Sequence, residues 1–219
     1  GIRHLVLSDT KISKTEIPIP MILATSSIHN HLVKKHLRTL CSINVQSGEC
    51  LDTHYFALLI GMGATSINAY LAQEALVDRH QKKLFQNLSY ADCIKRYTRS
   101  VKNGILKIMS KMGISVVSSY RGGGNFEAIG LDKNLIKKYF PTILSRISGI
   151  NLSQIEKMVI NNHRKAFHND FITLPVGGFY RSRESGVKHA FSAKIIHTLQ
   201  NAVTENNYAT FKKYSQLIN

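Results

Sequence analysis

Along the chain, short apolar runs alternate with stretches in which apolar residues return every third or fourth position, the pattern of strands interleaved with amphipathic helices. His4-Leu5-Val6-Leu7, closed by Ser8-Asp9, predicts a buried strand, and Met21-Ile22-Leu23-Ala24, entered through Pro18 and Pro20, predicts a second. From Ser27 to Leu37, Ile28, Leu32, Val33 and His36 recur at helical spacing behind a serine N-cap candidate. Ser42 to Gln46 predicts a strand ending in Ser47-Gly48-Glu49. Asp52 and Thr53 can then cap a helix whose apolar face carries Tyr55, Phe56, Leu58, Leu59 and Met62. Gly61 and Gly63 stop that helix before a strand at Ser66 to Tyr70.

Helical spacing dominates from Leu71 to Leu84 and from Tyr90 to Met112, where Ile94, Tyr97, Val101, Ile105, Ile108 and Met109 share one side and Gly113 closes the run. Ile114-Ser115-Val116-Val117 is the clearest β-branched run and predicts a strand leading into Ser118-Ser119-Tyr120-Arg121 and three glycines, with a helical Asn125 to Ile129 beyond. Such alternation predicts an α/β fold of parallel β-α units, as in a partial TIM-barrel-like domain or an open doubly wound sheet. After Leu131 the pattern is mainly helical: Asn134 to Phe140, Ser153 to Phe167, Ala193 to Val203 and Tyr208 to Leu217. A boundary near Pro141 therefore divides an α/β domain, 1–140, from a helical segment, 141–219. Within the latter, Phe167 to Ala190, rich in Gly, Arg, His and Ser, reads as an extended arm.

Composition adjusts this picture little. With 219 residues and 43% hydrophobic content the chain can bury a core. It has neither an apolar run of about 18 residues nor a signal-peptide pattern, so a soluble, cytoplasmic protein without a membrane partner is expected. Cys41, Cys50 and Cys93 lack the close spacing of a disulfide framework or an iron–sulfur cluster and read as incidental thiols. The formal charge of +16 raises nucleic-acid binding. Its lysines, however, fall in scattered pairs on predicted outer helix faces (Lys34-Lys35, Lys82-Lys83, Lys137-Lys138, Lys212-Lys213) and form no stripe, so no nucleic-acid partner is expected.

Two motifs could carry chemistry. His29-x-His31 follows a predicted strand and could begin a metal site, but the later strand ends offer no further aspartate or histidine, so no metal is expected. Gly122-Gly123-Gly124 could expose backbone N–H groups to an anion beside Arg121, against the alternative of a tight turn that simply needs glycine torsions. Neither a nucleophile elbow nor a catalytic cysteine context is present, and no catalytic residue is assigned. The candidate contact positions are those at predicted strand ends: Glu49, Asn68, Ser119, Arg121 and the adjoining Gly122.

Several blocks resemble the large subunit of glutamate synthase: Leu7-Ser8-Asp9, Ile19-Pro20 through His31-Leu32-Val33, Leu37-Arg38-Thr39, Gln46-Ser47-Gly48-Glu49 and His54 through Gly61. The most specific is Lys107 through Ser115, running on to Ser119-Tyr120-Arg121-Gly122 and Phe126-Glu127-Ala128-Ile129-Gly130-Leu131. Gly177-Gly178, Tyr180-Arg181 and Tyr208 through Ser215 extend the likeness to the far end. The resemblance implies the central domain of an enzyme that makes two glutamates from glutamine and 2-oxoglutarate using FMN and an iron–sulfur cluster, up to the start of its FMN-binding domain. It further implies a scaffold segment that binds no cofactor, helps enclose the ammonia route and is inactive alone. Its partners would be the glutaminase and FMN domains, with a small subunit or ferredoxin reached through the parent enzyme. The chain departs from the family at Gly123-Gly124-Asn125, near Ser192-Ala193 and at Gly186 to His189, all in turns or the arm. A free-standing anion-binding α/β module and a basic nucleic-acid-binding domain are the alternatives from other classes.

Overall fold

A computed structural model describes residues 1–168 and 176–218, in two compact units, Gly1–His168 and Asn169–Asn219. The first is mixed α/β. Strands β1 (His4–Ser8), β2 (Ser42–Gln46) and β3 (Ser66–Asn68) pair in parallel in chain order, with His4 opposite Ser42 and Asn44 opposite Ser66. Helix α1 (Met21–Lys34) connects β1 to β2, and α2 (Thr53–Gly61) connects β2 to β3. The core lies between this sheet and its helices: Ile43, Val45, Cys50 and Leu59 are buried and pack with Met21, Leu32 and Ala72. Asp52 starts α2 by accepting the Tyr55 N–H at 2.9 Å.

Helices α3 (Tyr70–Gln81) and α4 (Tyr90–Lys111) follow, and α4 lays Val101 and Met109 inward. A second parallel pair, β4 (Glu127–Leu131) and β5 (Leu144–Ile150), flanks α6 (Lys133–Tyr139), whose Leu135 and Ile136 form a smaller core with Phe140 and Ile143. Pro141 lies inside this first unit, between α6 and β5. Helix α7 (Leu152–His168) ends the unit, tied down by a 2.7 Å hydrogen bond between His163 Nε2 and the Ser13 carbonyl. In the second unit α8 (Ala193–Thr204) packs against α9 (Tyr208–Ile218). Of the arm expected over Phe167 to Ala190, residues 169–175 lie outside the described residues, and Phe167 belongs to α7. Among the described residues no helix is long and apolar enough to cross a membrane.

Three expected elements are corrected. Met21 to Ala24 is the first turn of α1 and not a strand. Pro20 sits at its N-cap with φ −50° and ψ 125°, and the Glu49 side chain accepts the Met21 N–H at 2.8 Å, satisfying a donor that the helix leaves open. Ile114 to Val117 forms no strand. Its Val116 and Val117 are exposed and find no sheet to join, and the chain instead makes the single turn α5 (Val117–Tyr120). Asn125 to Ile129 is not helical either, because Glu127 to Ile129 belong to β4. Its partner β5 escapes the sequence pattern because Ser145, Arg146, Ser148 and Gly149 interrupt its apolar residues and the pairing carries register shifts.

Candidate functional site

The parallel sheet has two chemically different edges. At the C-terminal ends of its strands, Asp9, just past β1, is only 6% exposed. Its carboxylate accepts the Ser47 hydroxyl at 2.9 Å and the Gly48 N–H at 3.0 Å. Ser47 Oγ in turn accepts the Glu49 N–H at 3.1 Å, and the Ser47 N–H donates to the Asn68 carbonyl at 3.0 Å. The carboxylate thus satisfies the turn after β2 as a fixed buried acceptor.

Glu49 and Asn68 both lie on this edge. Glu49 Oε2 accepts the Met21 N–H and a short hydrogen bond from the Tyr55 hydroxyl, and Asn68 Oδ1 accepts the Gln73 side-chain amide at 3.2 Å. Burial, reinforced by the hydrogen bond and charge of Glu49, pushes the Tyr55 phenol well above its ordinary range. Burial and then the neighbouring Asp9 carboxylate push Tyr70 up to about 12. Both phenols therefore stay protonated near neutrality, Tyr55 as a donor to the Glu49 carboxylate; neither can serve as a general base there. Every polar group here that the fold brings together is engaged by another part of the same chain, which is the chemistry of a latch.

At the opposite edge, before β2 and β3, Arg38 donates from Nε to His29 Nδ1 at 3.0 Å, from Nη1 to the Cys41 carbonyl at 2.6 Å and from Nη2 to the Gly63 carbonyl at 2.7 Å. His29 fills the notch between Gly63 and Gly122: a Cβ on Gly63 would stand 2.3 Å from its Nδ1, and one on Gly122 would stand 2.8 Å from its Cε1. The Gly122 N–H donates to the Ile60 carbonyl at 3.1 Å, closing the turn onto α2. Arg121 follows α5 and lies near enough to Arg38 for the two guanidinium charges to repel, while Ser119 is exposed within α5. The fold therefore places Glu49 and Asn68 on one edge and Arg121 and Gly122 by the other.

Asp9 and Arg38 were not singled out from sequence. The one signal for each is position: a lone acid just past an apolar strand, and an arginine within the Leu37-Arg38-Thr39 block. His31 is exposed on α1 and does not join His29. Among the described residues no group of three or more His, Cys, Asp or Glu side chains converges. The three cysteines are free and separate, a donor set that does not fit an iron–sulfur cluster.

The environment of His29 predicts a pH effect. Burial, and then the Arg38 charge, lower its pKa below the ordinary 6.5. The unfolded chain therefore takes up a proton that the folded chain resists, so stability is fully present above that value and falls as the pH drops below it. Comparing denaturant midpoints at pH 7.5 and 5.5 should show a smaller decline for His29→Asn, whose Oδ1 can still accept from Arg38. Equal declines in the two proteins would remove His29 as the cause.

A groove of about 760 Å³ in the first unit runs between Ile17 to Pro20, α1 and α7. It is lined by apolar side chains such as Leu23, Ile28, Ile155 and Val159, and contains none of the five candidate positions.

The glutamate synthase central-domain family matches residues 1–132. The large chain of the NADPH glutamate synthase of Azospirillum brasilense is 52% identical over 219 residues, covering 100% of this chain and 14% of that protein. Its Bacillus subtilis counterpart is 42% identical over 217 residues, 99% of this chain and 14% of the protein. The ferredoxin-dependent glutamate synthase of Cyanidium caldarium is 35% identical over 230 residues, covering 100% of this chain and 15% of that protein. The chain thus spans about a seventh of the length of these relatives, and each match runs through both of its units.

Proposed function

The chain belongs to the glutamate synthase central-domain family, and we propose that it is the interdomain scaffold of a glutamate synthase, part of the body that encloses the ammonia route between two active sites and without turnover of its own. The observation that carries this reading is the end-to-end match to one internal stretch of much longer enzymes. The parent reaction would turn glutamine and 2-oxoglutarate into two glutamates, with FMN and an iron–sulfur cluster supplied by other domains. Partners would be the glutaminase and FMN-binding domains, with a small subunit or ferredoxin as electron source. Residues 1–140 would form the central α/β domain, and 141–219 would lead toward the FMN-binding domain. The family match ending at residue 132 supports a change near there, while the compact first unit continues through β5 and α7 to His168.

The finer fold reading is a partial TIM-barrel-like arrangement. It is supported by strands β1, β2 and β3 lying side by side in chain order, all parallel, with helices between them. In that frame Glu49 and Asn68, at the C-terminal strand ends, are the contact candidates toward neighbouring domains. Ser119, Arg121 and Gly122 would meet a different surface.

Glutaminase and glutamate synthase assays on the 219-residue chain should both read at background. Turnover above background that survives repurification would overturn the scaffold reading. The anion-binding module and the nucleic-acid domain are not favoured by the glutamate synthases to which the chain is similar.

A further inference from the structure

The β4–β5 ribbon has one covered face and one open one. Inward, Ala128 and Leu131 pack with Ile143 on the α6 core. Outward, Ile129 is 73% exposed, Ile147 opposite it 60%, and Leu144 55%. Parallel strands are nearly always buried on both faces, and a two-stranded sheet alone is marginal in water, so this ribbon is half of a packing arrangement.

Its shape is fixed in advance. A Cβ on Gly149 would stand 2.2 Å from the Gly130 carbonyl oxygen, so the two backbones touch where no side chain fits. Gly130 itself has φ +79°, and register shifts flank Ile129. Glu127 and Arg146 pair across the same face at 3.1 Å, leaving it without net charge in a chain of +16. An apolar, neutral, preformed β surface suits a folded protein surface and gives an anionic polymer nothing to grip.

We propose that the outer face of β4–β5, centred on Ile129 and Ile147, is the surface on which another domain of the same long polypeptide docks. The inference rests on the scaffold reading. Its occupant is argued from length, since this chain covers 14% of the Azospirillum brasilense relative and the remainder of such a polypeptide is available in cis. Covering the ribbon would complete the sandwich that its exposed isoleucines leave open.

The test places a photo-crosslinking phenylalanine analogue at Ile129, and separately at Ile147, in the full-length parent polypeptide. Irradiated protein is digested and the cross-linked peptides are identified by mass spectrometry. The expected result at both positions is a link to a peptide outside these 219 residues within the same chain. A link to α8 or α9, an intermolecular link that doubles the mass on a denaturing gel, or no link at either position would overturn the proposal. Glutamate synthase activity of the unmodified parent, measured on the same preparation, separates the two ideas. An active parent without the cross-link sinks the docking face alone, whereas a parent with no such activity sinks the scaffold reading beneath it.

Discussion

Alanine at Asp9 is expected to destabilise the first unit by about 3 kcal/mol, because two charge-assisted hydrogen bonds disappear and the Ser47 donor stays buried. The Ser47 side chain is fully buried and donates to Asp9, and the Gly48 N–H has no other acceptor near. Once the carboxylate is gone, the buried Ser47 hydroxyl has lost its acceptor and carries a desolvation cost. The damage should spread along the turn: Ser47 Oγ orients the Glu49 N–H, and the Glu49 carboxylate holds the first N–H of α1. Asp9→Asn keeps the shape and one acceptor and should cost less, while Ser47→Ala removes one donor from a carboxylate that keeps Gly48 and should cost least. Urea denaturation followed by circular dichroism measures all three. An Asp9→Ala protein within about 1 kcal/mol of the parent would mean that the latch contributes nothing beyond an ordinary surface carboxylate.

The same latch explains what could and could not be read in advance. β1, β2 and β3, with α2, α4 and the C-terminal helices, follow from local periodicity, since each carries its apolar residues at the spacing its own geometry requires. Met21 to Ala24 does not: four apolar residues in a row suit a strand or a buried helix equally. The contact that decides is Glu49, 28 residues away. Val116 and Val117 have β-branched side chains and no sheet to receive them, so propensity gave way to the absence of a partner. β5 was hidden for the opposite reason, because its polar and glycine positions are set by β4 and not by its own pattern.

Site legibility divides along the same line. Glu49 and Asn68 fall at strand ends because the strands before them were legible. Arg121 and Gly122 were placed after a strand that does not form, and their true neighbours, His29, Arg38 and Gly63, are brought together only by tertiary packing. The glycine turn was set against an anion cradle in the sequence. Its structural counterpart is a close approach, with an imidazole occupying the space where the Gly122 side chain would be.

That close approach sets the second large effect, expected from Gly63→Ala, at about 3 kcal/mol of destabilisation from two separable sources. Gly63 has φ +108°, a region that residues with a Cβ rarely adopt, and its new methyl would lie 2.3 Å from His29 Nδ1 and 2.5 Å from Cγ. His29 cannot withdraw freely. Gly122 closes the far side of the ring, and Arg38, itself fixed by the Cys41 and Gly63 carbonyls, holds Nδ1. Truncating the ring should therefore relieve the steric part and leave the backbone part. In a four-protein cycle with His29→Ala, the double variant should be more stable than the sum of the single losses predicts, by about 1 to 2 kcal/mol. Strict additivity would show that the backbone torsion alone makes glycine necessary at position 63, and that the imidazole does not determine how close the α2 terminus can come to the turn at Gly122.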